Sequence, residues 1–401
     1  MMTRTFQVAS LAIPIVLMAC SAAAGEPHAV SAPPAATPDT SRVYYAYVGA
    51  ESADLMHRVR LGPDGVSVDH TVSVGEIAVE VEGPHGFNVS PDGAYVYMTT
   101  GHGVPGGKLW KFHAGPDTLV ARPAPLGYFP ATLDLTADGQ YAFVANFNLH
   151  GEHVPSTVSV VYTPDLVEVA RITTCTMPHG LRVDPSGLFA YSMCMMDDQL
   201  VEIDTRSFRV ARRFSVAHGG EGPVHDHDVQ ALSAGRDMPA MTHDLSGAAP
   251  SGAPTCSPTW AEPSPDGSVV YVACNKADEI LVIDRGSWAL ERRIPTGRGP
   301  YNLDVTPDGR ILVASLKQGG QVQFFAAATG ESLGVVPSST TVTHGVAVSS
   351  DSRYAFVSVE GKGAEAGKVD VYDLATFQLI GSAEVGQQAG GIVFWKSEIL
   401  R

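Results

Sequence analysis

From about residue 43 onward, apolar and polar residues alternate in short runs, the period of two that marks half-buried β-strands. Gly86-Phe87-Asn88-Val89 and Tyr95-Val96-Tyr97-Met98 are two such runs, separated by the turn sequence Ser90-Pro91-Asp92-Gly93. The same punctuation returns as Thr136-Ala137-Asp138-Gly139, Asp184-Pro185-Ser186-Gly187, Ser264-Pro265-Asp266-Gly267, Thr306-Pro307-Asp308-Gly309 and Ser349-Ser350-Asp351-Ser352. Between the fourth turn residues the intervals are 46, 48, 80, 42 and 43. A period in the forties with about four strands per unit predicts an all-β propeller and disfavours a sandwich. The long interval predicts one blade plus an insertion at about residues 218–255.

Six turns give six blades that each begin with their own first strand. A seventh first strand, Gly391-Ile392-Val393-Phe394-Trp395, stands at the C-terminus with no room after it for partners. Those partners are predicted at the other end of the chain: Val43 to Val48, His57 to Leu61 and Val66 to Val74. A seven-bladed β-propeller follows, closed by N-terminal and C-terminal strands that share one blade. Such closure removes two open sheet edges.

Val270-Tyr271-Val272-Ala273-Cys274-Asn275, Tyr141-Ala142-Phe143-Val144-Ala145-Asn146 and the Pro-Asp-Gly turns resemble the YVTN or YncE-like family of bacterial propeller repeats. The likeness covers about residues 43–401 and is specific to architecture. No Gly-His…Trp-Asp pattern points to WD40 repeats. Propellers of this kind include binding scaffolds, lactonases and the catalytic domain of nitrous oxide reductase, so the resemblance implies a fold and several functions.

In a propeller blade, the loop before the first strand and the loop after the second share one face, the top. Ten of the 14 histidines map on or near it. Three of them keep one register: His85, His179 and His344 lie eight residues before the fourth turn position, and each is followed by glycine, which lets backbone pass close to the channel. They are candidate ligands for a transition metal, copper or zinc, at the channel mouth. The opposing expectation is that Pro-His-Gly belongs to the repeat, that each histidine bonds a neighbouring blade, and that non-adjacent blades leave wide gaps between the rings. The insertion carries His225-Asp226-His227-Asp228, so His225 and His227 are candidates to complete a metal shell from above. Cys175 and Cys194 fall on the top side of one blade, and Cys256 and Cys274 on that of the next. Disulfides Cys175–Cys194 and Cys256–Cys274 are expected; the crossed pair Cys194–Cys256 and a thiolate metal site remain alternatives.

Composition is that of an ordinary globular chain, 44% hydrophobic and 17% charged over 401 residues. The formal charge of −16 argues against nucleic-acid binding, which needs a basic face. Residues 1–19 are expected to be a lipoprotein signal peptide: Arg4 precedes an apolar run, and Leu17-Met18-Ala19-Cys20 resembles a lipobox in which Cys20 is lipidated. Residues 20–42, with their Ala, Pro and Ser, then read as a disordered tether, and residues 43–401 as the propeller. The expected protein is exported, periplasmic or at the cell surface, and touches a bacterial membrane through its lipid alone. Its top face is expected to bind a small molecule, a metal or a protein partner as a scaffold. A metal-dependent oxidoreductase and a lactonase-like hydrolase are the alternatives. No Gly-x-Ser-x-Gly or His-Glu-x-x-His motif accompanies these features.

Overall fold

A computed structural model of the chain describes residues 41–77, 79–102, 106–224 and 253–400. The expected signal peptide, Cys20, almost all of the tether, and His225 and His227 lie outside the described residues. Seven antiparallel sheets form a ring. The inner strands of blades I to VI are Pro84–Val89, Pro130–Leu135, Pro178–Val183, Pro258–Pro263, Pro300–Val305 and Thr343–Val348. The inner strand of blade VII is the C-terminal Ala389–Ile399. Outside it lie Arg42–Ala50, Leu55–Gly62 and Gly65–Ser73, so the two chain ends pair as the repeat count requires. Register runs from Arg42 opposite Ile399 to Ala50 opposite Ala389.

The recurrent turns have one chemistry. In blade I the Ser90 hydroxyl donates to the Asp92 carboxylate at 2.5 Å, which accepts the Ala94 amide, while the Gly93 amide returns to the Ser90 carbonyl at 2.7 Å. The fourth residue adopts φ near +70°, a left-handed conformation that glycine takes without steric cost. Blade III exchanges the roles, with Ser186 donating to Asp184.

Sheets pack face to face through alternate strand residues, which form a buried cluster between each pair of blades. Tyr44, Phe356, Tyr354 and Ala389 join blades VI and VII, while Tyr47, Phe87, Met98 and Trp110 join VII and I. Blade III carries a fifth strand, Gly222–Val224, against Arg209–Ser215, so the insertion opens by extending that sheet. Its two ends are tied together. The His218 amide donates to Thr255 Oγ1 at 2.8 Å, and the Asp198 carboxylate accepts the amides of Thr255 and Ser257. The Cys175–Cys194 and Cys256–Cys274 disulfides are both present; Cys175 ends blade II's outer strand, Val167–Thr176, so the first bridge joins blade II to blade III instead of lying within one blade, and the second ties the chain entering blade IV to its second strand, Val269–Cys274.

Near the axis the inner strands almost touch. A Cβ on Gly391 would sit 1.8 Å from the His85 carbonyl oxygen, and one on Gly180 would sit 2.4 Å from that of Thr259. Neighbouring blades are also stitched by side chains that donate to the next blade's carbonyl. His85 Nδ1 reaches Ala131 O at 2.7 Å, His179 Nδ1 reaches Thr259 O at 2.9 Å, and Thr259 Oγ1 reaches Tyr301 O at 2.7 Å. Thr132, Ser315 and Ser358 do the same for His179, His344 and Gly390.

Deeper in the channel, the fifth residues of four consecutive inner strands are Asp134, Arg182, Glu262 and Asp304. Arg182 Nε lies 3.3 Å from Glu262 Oε2, and its guanidinium covers the Trp260 ring at 4.5 Å. Asp134 accepts the Val183 amide, and Asp304 the Val348 amide. Three carboxyls share one guanidinium. Burial pushes Glu262 up to about 8 and Asp304 up to about 6, with Arg182 offsetting only part of the effect. Between this layer and His85 and His344 the channel keeps a space of about 20 Å³, room for one water.

Two outcomes are expected. Gly391→Ala should destabilise the fold by about 2 kcal/mol or more, whereas Gly222→Ala, with open space at its Cβ, should be near neutral in thermal denaturation. Glu262 binds its proton more tightly folded than unfolded, so the folded state holds the extra proton between the ordinary glutamate pKa and about 8. Stability should therefore fall as pH rises across that window. Glu262→Gln should flatten the fall, and an unchanged slope in denaturant titrations from pH 5 to 9 would refute the assignment.

Candidate functional site at the channel mouth

The second residues of the seven inner strands encircle the mouth: His85, Ala131, His179, Thr259, Tyr301, His344 and Gly390. The structure brings His85, His179 and His344 close despite their separation by intervening blades. The His85 ring centroid lies 6.0 Å from that of His179 and 5.8 Å from that of His344. The expected wide gaps are thus corrected, because the inner strands converge so tightly that one intervening blade adds little distance. The seventh position is glycine because another side chain occupies its space: a Cβ on Gly390 would lie 2.1 Å from Glu51 Oε1. Glu51 begins the short 3-10 turn Glu51–Ala53 that follows Arg42–Ala50, and its amide donates to Gln388 O at 3.0 Å.

Glu51, His85 and His344 are all buried, and each offers one ligand atom within 4.8 Å of the other two. His85 Nδ1 donates to a carbonyl, which acts only as an acceptor, so Nδ1 carries a proton and Nε2 is turned inward. Nε2 faces Glu51 Oε1 at 3.7 Å. Glu51 Oε2 accepts from His102 Nε2 at 2.9 Å and from Gln388 Nε2 at 3.0 Å, which fixes the carboxylate. Burial alone would raise the Glu51 pKa, but His85, His102 and Lys317 outweigh it and hold the carboxyl below its usual range. Burial, with Lys317 and the other two rings, holds His344 far below the ordinary histidine value, so its ring is neutral. His344 Nδ1 is buried without a hydrogen bond, and its Nε2 lies 3.6 Å from Glu360 Oε1.

His179 differs from the other two. Its Nδ1 donates to Thr259 O, and its Nε2 accepts the Tyr301 hydroxyl at 3.0 Å, so both nitrogens are engaged. Burial, then His85 and Lys317, push it down to about 3. It acts as a neutral wall. Of the three histidines in register, the structure therefore groups two with a carboxylate and sets the third apart.

Glu51, Lys317 and Glu360 were missed by sequence reasoning. Lys317 and Glu360 stand eight residues after their fourth turn positions, the mirror image of the histidine register, so counting in the other direction would have found them. Glu51 follows the second strand of the blade split between the chain ends, where no such count exists. Lys317 Nζ pairs with Glu360 Oε1 at 2.7 Å and lies 4.2 Å from the Tyr301 ring centroid.

Other top-face features flank this centre. Phe129 meets His102 and His150 edge to face, the two imidazoles are tilted against each other, and the Phe129 ring also meets His85 at 5.4 Å. Behind Phe129 a cleft of about 800 Å³ opens between blades I and II, lined by Leu126, Tyr128, Asn148, His150 and Arg171. His218 is exposed near the insertion, 3.5 Å from Glu279.

No protein-family model and no curated protein sequence matches the chain. Among solved structures it is similar to Kuenenia stuttgartiensis hydrazine synthase, at 18% identity and a TM-score of 0.55 over 76% of this chain and 80% of that one. It is also similar to a functionally unknown protein from Desulfotomaculum acetoxidans DSM 771, at 13% identity and a TM-score of 0.63 over 88% and 99% of the respective chains. At these identities the likeness speaks to the fold alone, a seven-bladed β-propeller.

Proposed function

We propose that this protein is an exported, lipid-anchored propeller that holds a divalent transition-metal ion, zinc or copper, at its channel mouth and presents the ion's open side to a small ligand. The observation that carries the reading is the confrontation of His85 Nε2 with Glu51 Oε1. The carboxylate oxygen and the imidazole nitrogen face each other across 3.7 Å in a buried site, and with His344 they form a cluster whose ligand atoms all lie within 4.8 Å of one another, a spacing that a shared cation fits. Ligands 2.0–2.1 Å from a tetrahedral ion stand about 3.3 Å apart, so this pair needs little adjustment. His344 Nε2 supplies the third ligand atom. Two imidazoles and a carboxylate make a common set for zinc and for other first-row ions, and three protein ligands leave a position open.

The neighbours support that role. The Ala131 carbonyl fixes the His85 tautomer, and His102 with Gln388 orients the Glu51 carboxylate, as groups behind a metal's ligands do. Export is supported by the lipobox-like Leu17 to Cys20 and by the two disulfides, which persist in oxidising compartments. His225 and His227 remain candidates for a lid ligand. The resemblance to YVTN-like repeats supports the same binding role. The oxidoreductase and lactonase alternatives share this mouth and differ in what the ion would be asked to do.

The protein purified with its insertion intact should take up about one equivalent of zinc or copper in metal analysis, as a single three-ligand site requires. Glu51→Gln and His85→Ala should each lower occupancy at least about tenfold, consistent with the loss of a charged or directional ligand. Full occupancy in the Glu51→Gln, His85→Ala double variant would refute the site. Cys20→Ser should release the protein from the membrane fraction, and unchanged membrane association would refute the anchor.

A further inference from the structure

We propose that the cleft between blades I and II binds a flat, uncharged aromatic molecule that carries one hydroxyl or carbonyl group. The site adjoins the channel mouth and does not depend on an ion being held there.

The cleft originates in the lengths of the top-face connections. Between the second and third strands the chain spends only residues 195–198, 275–278, 317–320 and 51–54 in blades III, IV, V and VII. The connections of blades I, II and VI are longer, 101–107, 147–154 and 360–367, and of these only I and II belong to neighbouring blades. Blade I also lacks a full outer strand. Thr118–Leu119 and Ala124–Pro125 hold two residues each, where every other blade's fourth strand runs six or more. Two long loops beside a gap in one sheet leave a space of about 800 Å³, the size of a small-molecule site. At its inner end His102 from blade I and His150 from blade II lie 5.6 Å apart, both against Phe129. Phe129, which also meets His85, is the partition between cleft and mouth.

The lining specifies the ligand. Leu126, Phe129, Val154 and Pro155 supply carbon walls, and Tyr128 is 61% exposed beside them. Peptide planes form the rest of the wall at Gly101 and Gly127, where a Cβ would lie 2.8 Å from Phe129 Cα and 2.6 Å from Asn146 Cγ. Most polar groups of the lining are already engaged. The Ser156 hydroxyl donates to the Asn146 carbonyl, Thr157 Oγ1 accepts from Asn146 Nδ2, and Asn148 Nδ2 donates to the Glu152 carbonyl. Among the described residues, the His150 ring and the Tyr128 hydroxyl have no hydrogen-bond partner, so both keep their capacity for a ligand. The cleft's guanidinium is paired as well: Glu168 holds Arg171 Nε at 2.8 Å and Nη2 at 2.6 Å. Glu152 is exposed and keeps its water. An ionic ligand therefore meets no unmatched charge, and a sugar would set several hydroxyls against carbon. A flat ring with one polar group lays its faces on carbon and peptide while its polar atom reaches His150 or Tyr128.

Naphthol serves as the probe, in equilibrium dialysis of the protein with its insertion intact and a chelator present so that no ion contributes. It should occupy a single saturable site. Phenol should displace it, and cyclohexanol, which keeps the hydroxyl without the flat ring, should need about fivefold more. Benzoate and benzylammonium should each displace it less well than phenol. Tyr128→Ala, at an exposed side chain, should weaken naphthol binding about fivefold, the loss expected for one aromatic contact. Gly106→Trp should weaken it at least about tenfold. A Cβ at Gly106 has nothing nearer than Leu126 O at 4.0 Å, so the indole has room to enter the cleft in the ligand's place. If cyclohexanol matches phenol, or a charged competitor outdoes it, the ligand class is wrong. Absence of a saturable site, or naphthol binding that neither variant changes, would overturn the cleft as the site.

Discussion

Seven strands can meet around one axis only if their backbones approach more closely than side chains allow, and that constraint shapes everything at the centre of this propeller. Glycine stands where a Cβ would strike the neighbouring blade's carbonyl, as at Gly180 and Gly391. Where backbones come so near, each inward carbonyl must also find a donor away from water. Histidine, threonine and serine side chains meet that need blade after blade. The Pro-His-Gly pattern thus has a structural role: the glycine admits the neighbour's carbonyl and the histidine Nδ1 satisfies it. The same bond turns Nε2 of His85 inward, toward Glu51.

Sequence spacing made the ring legible. The turn chemistry recurs at nearly fixed intervals because each blade repeats one geometry, and the unpartnered strand at Gly391 to Trp395 leaves a single way to close the circle. The disulfides were legible for the same reason, since a register places Cys175 against Cys194 and Cys256 against Cys274. The composition of the mouth was legible only in part. His85 and His344 carry a periodic signal. Glu51 carries none, because it belongs to the blade whose strands are divided between the chain ends. The distance between rings from non-adjacent blades was overestimated, because it depends on backbone convergence at the axis, which no spacing of residues encodes.

The two layers of the channel show opposite treatments of buried charge. Below, three carboxyls converge on Arg182, and burial lifts Glu262 and Asp304 toward their neutral forms. Above, Glu51 is equally buried yet held ionised by His85, His102 and Lys317. Protonation relieves the lower layer internally, so it requires no visitor. There the neighbouring groups, and not a proton, meet the carboxylate's need.

Glu51 lies at the beginning of the folded chain and the Gly390 gap that receives it lies at the end. A ribosome delivers these two residues in order, with some 340 others in between, so the mouth stays unfinished through nearly the whole of synthesis. His85 and His344 alone would offer an ion two ligands, and the third arrives only when the last strand slots in beside Arg42–Ala50. Nascent or C-terminally clipped chains would therefore be poor competitors for metal. An ion held there would be a seal applied to finished molecules, and its loss would mark one whose ring has come open.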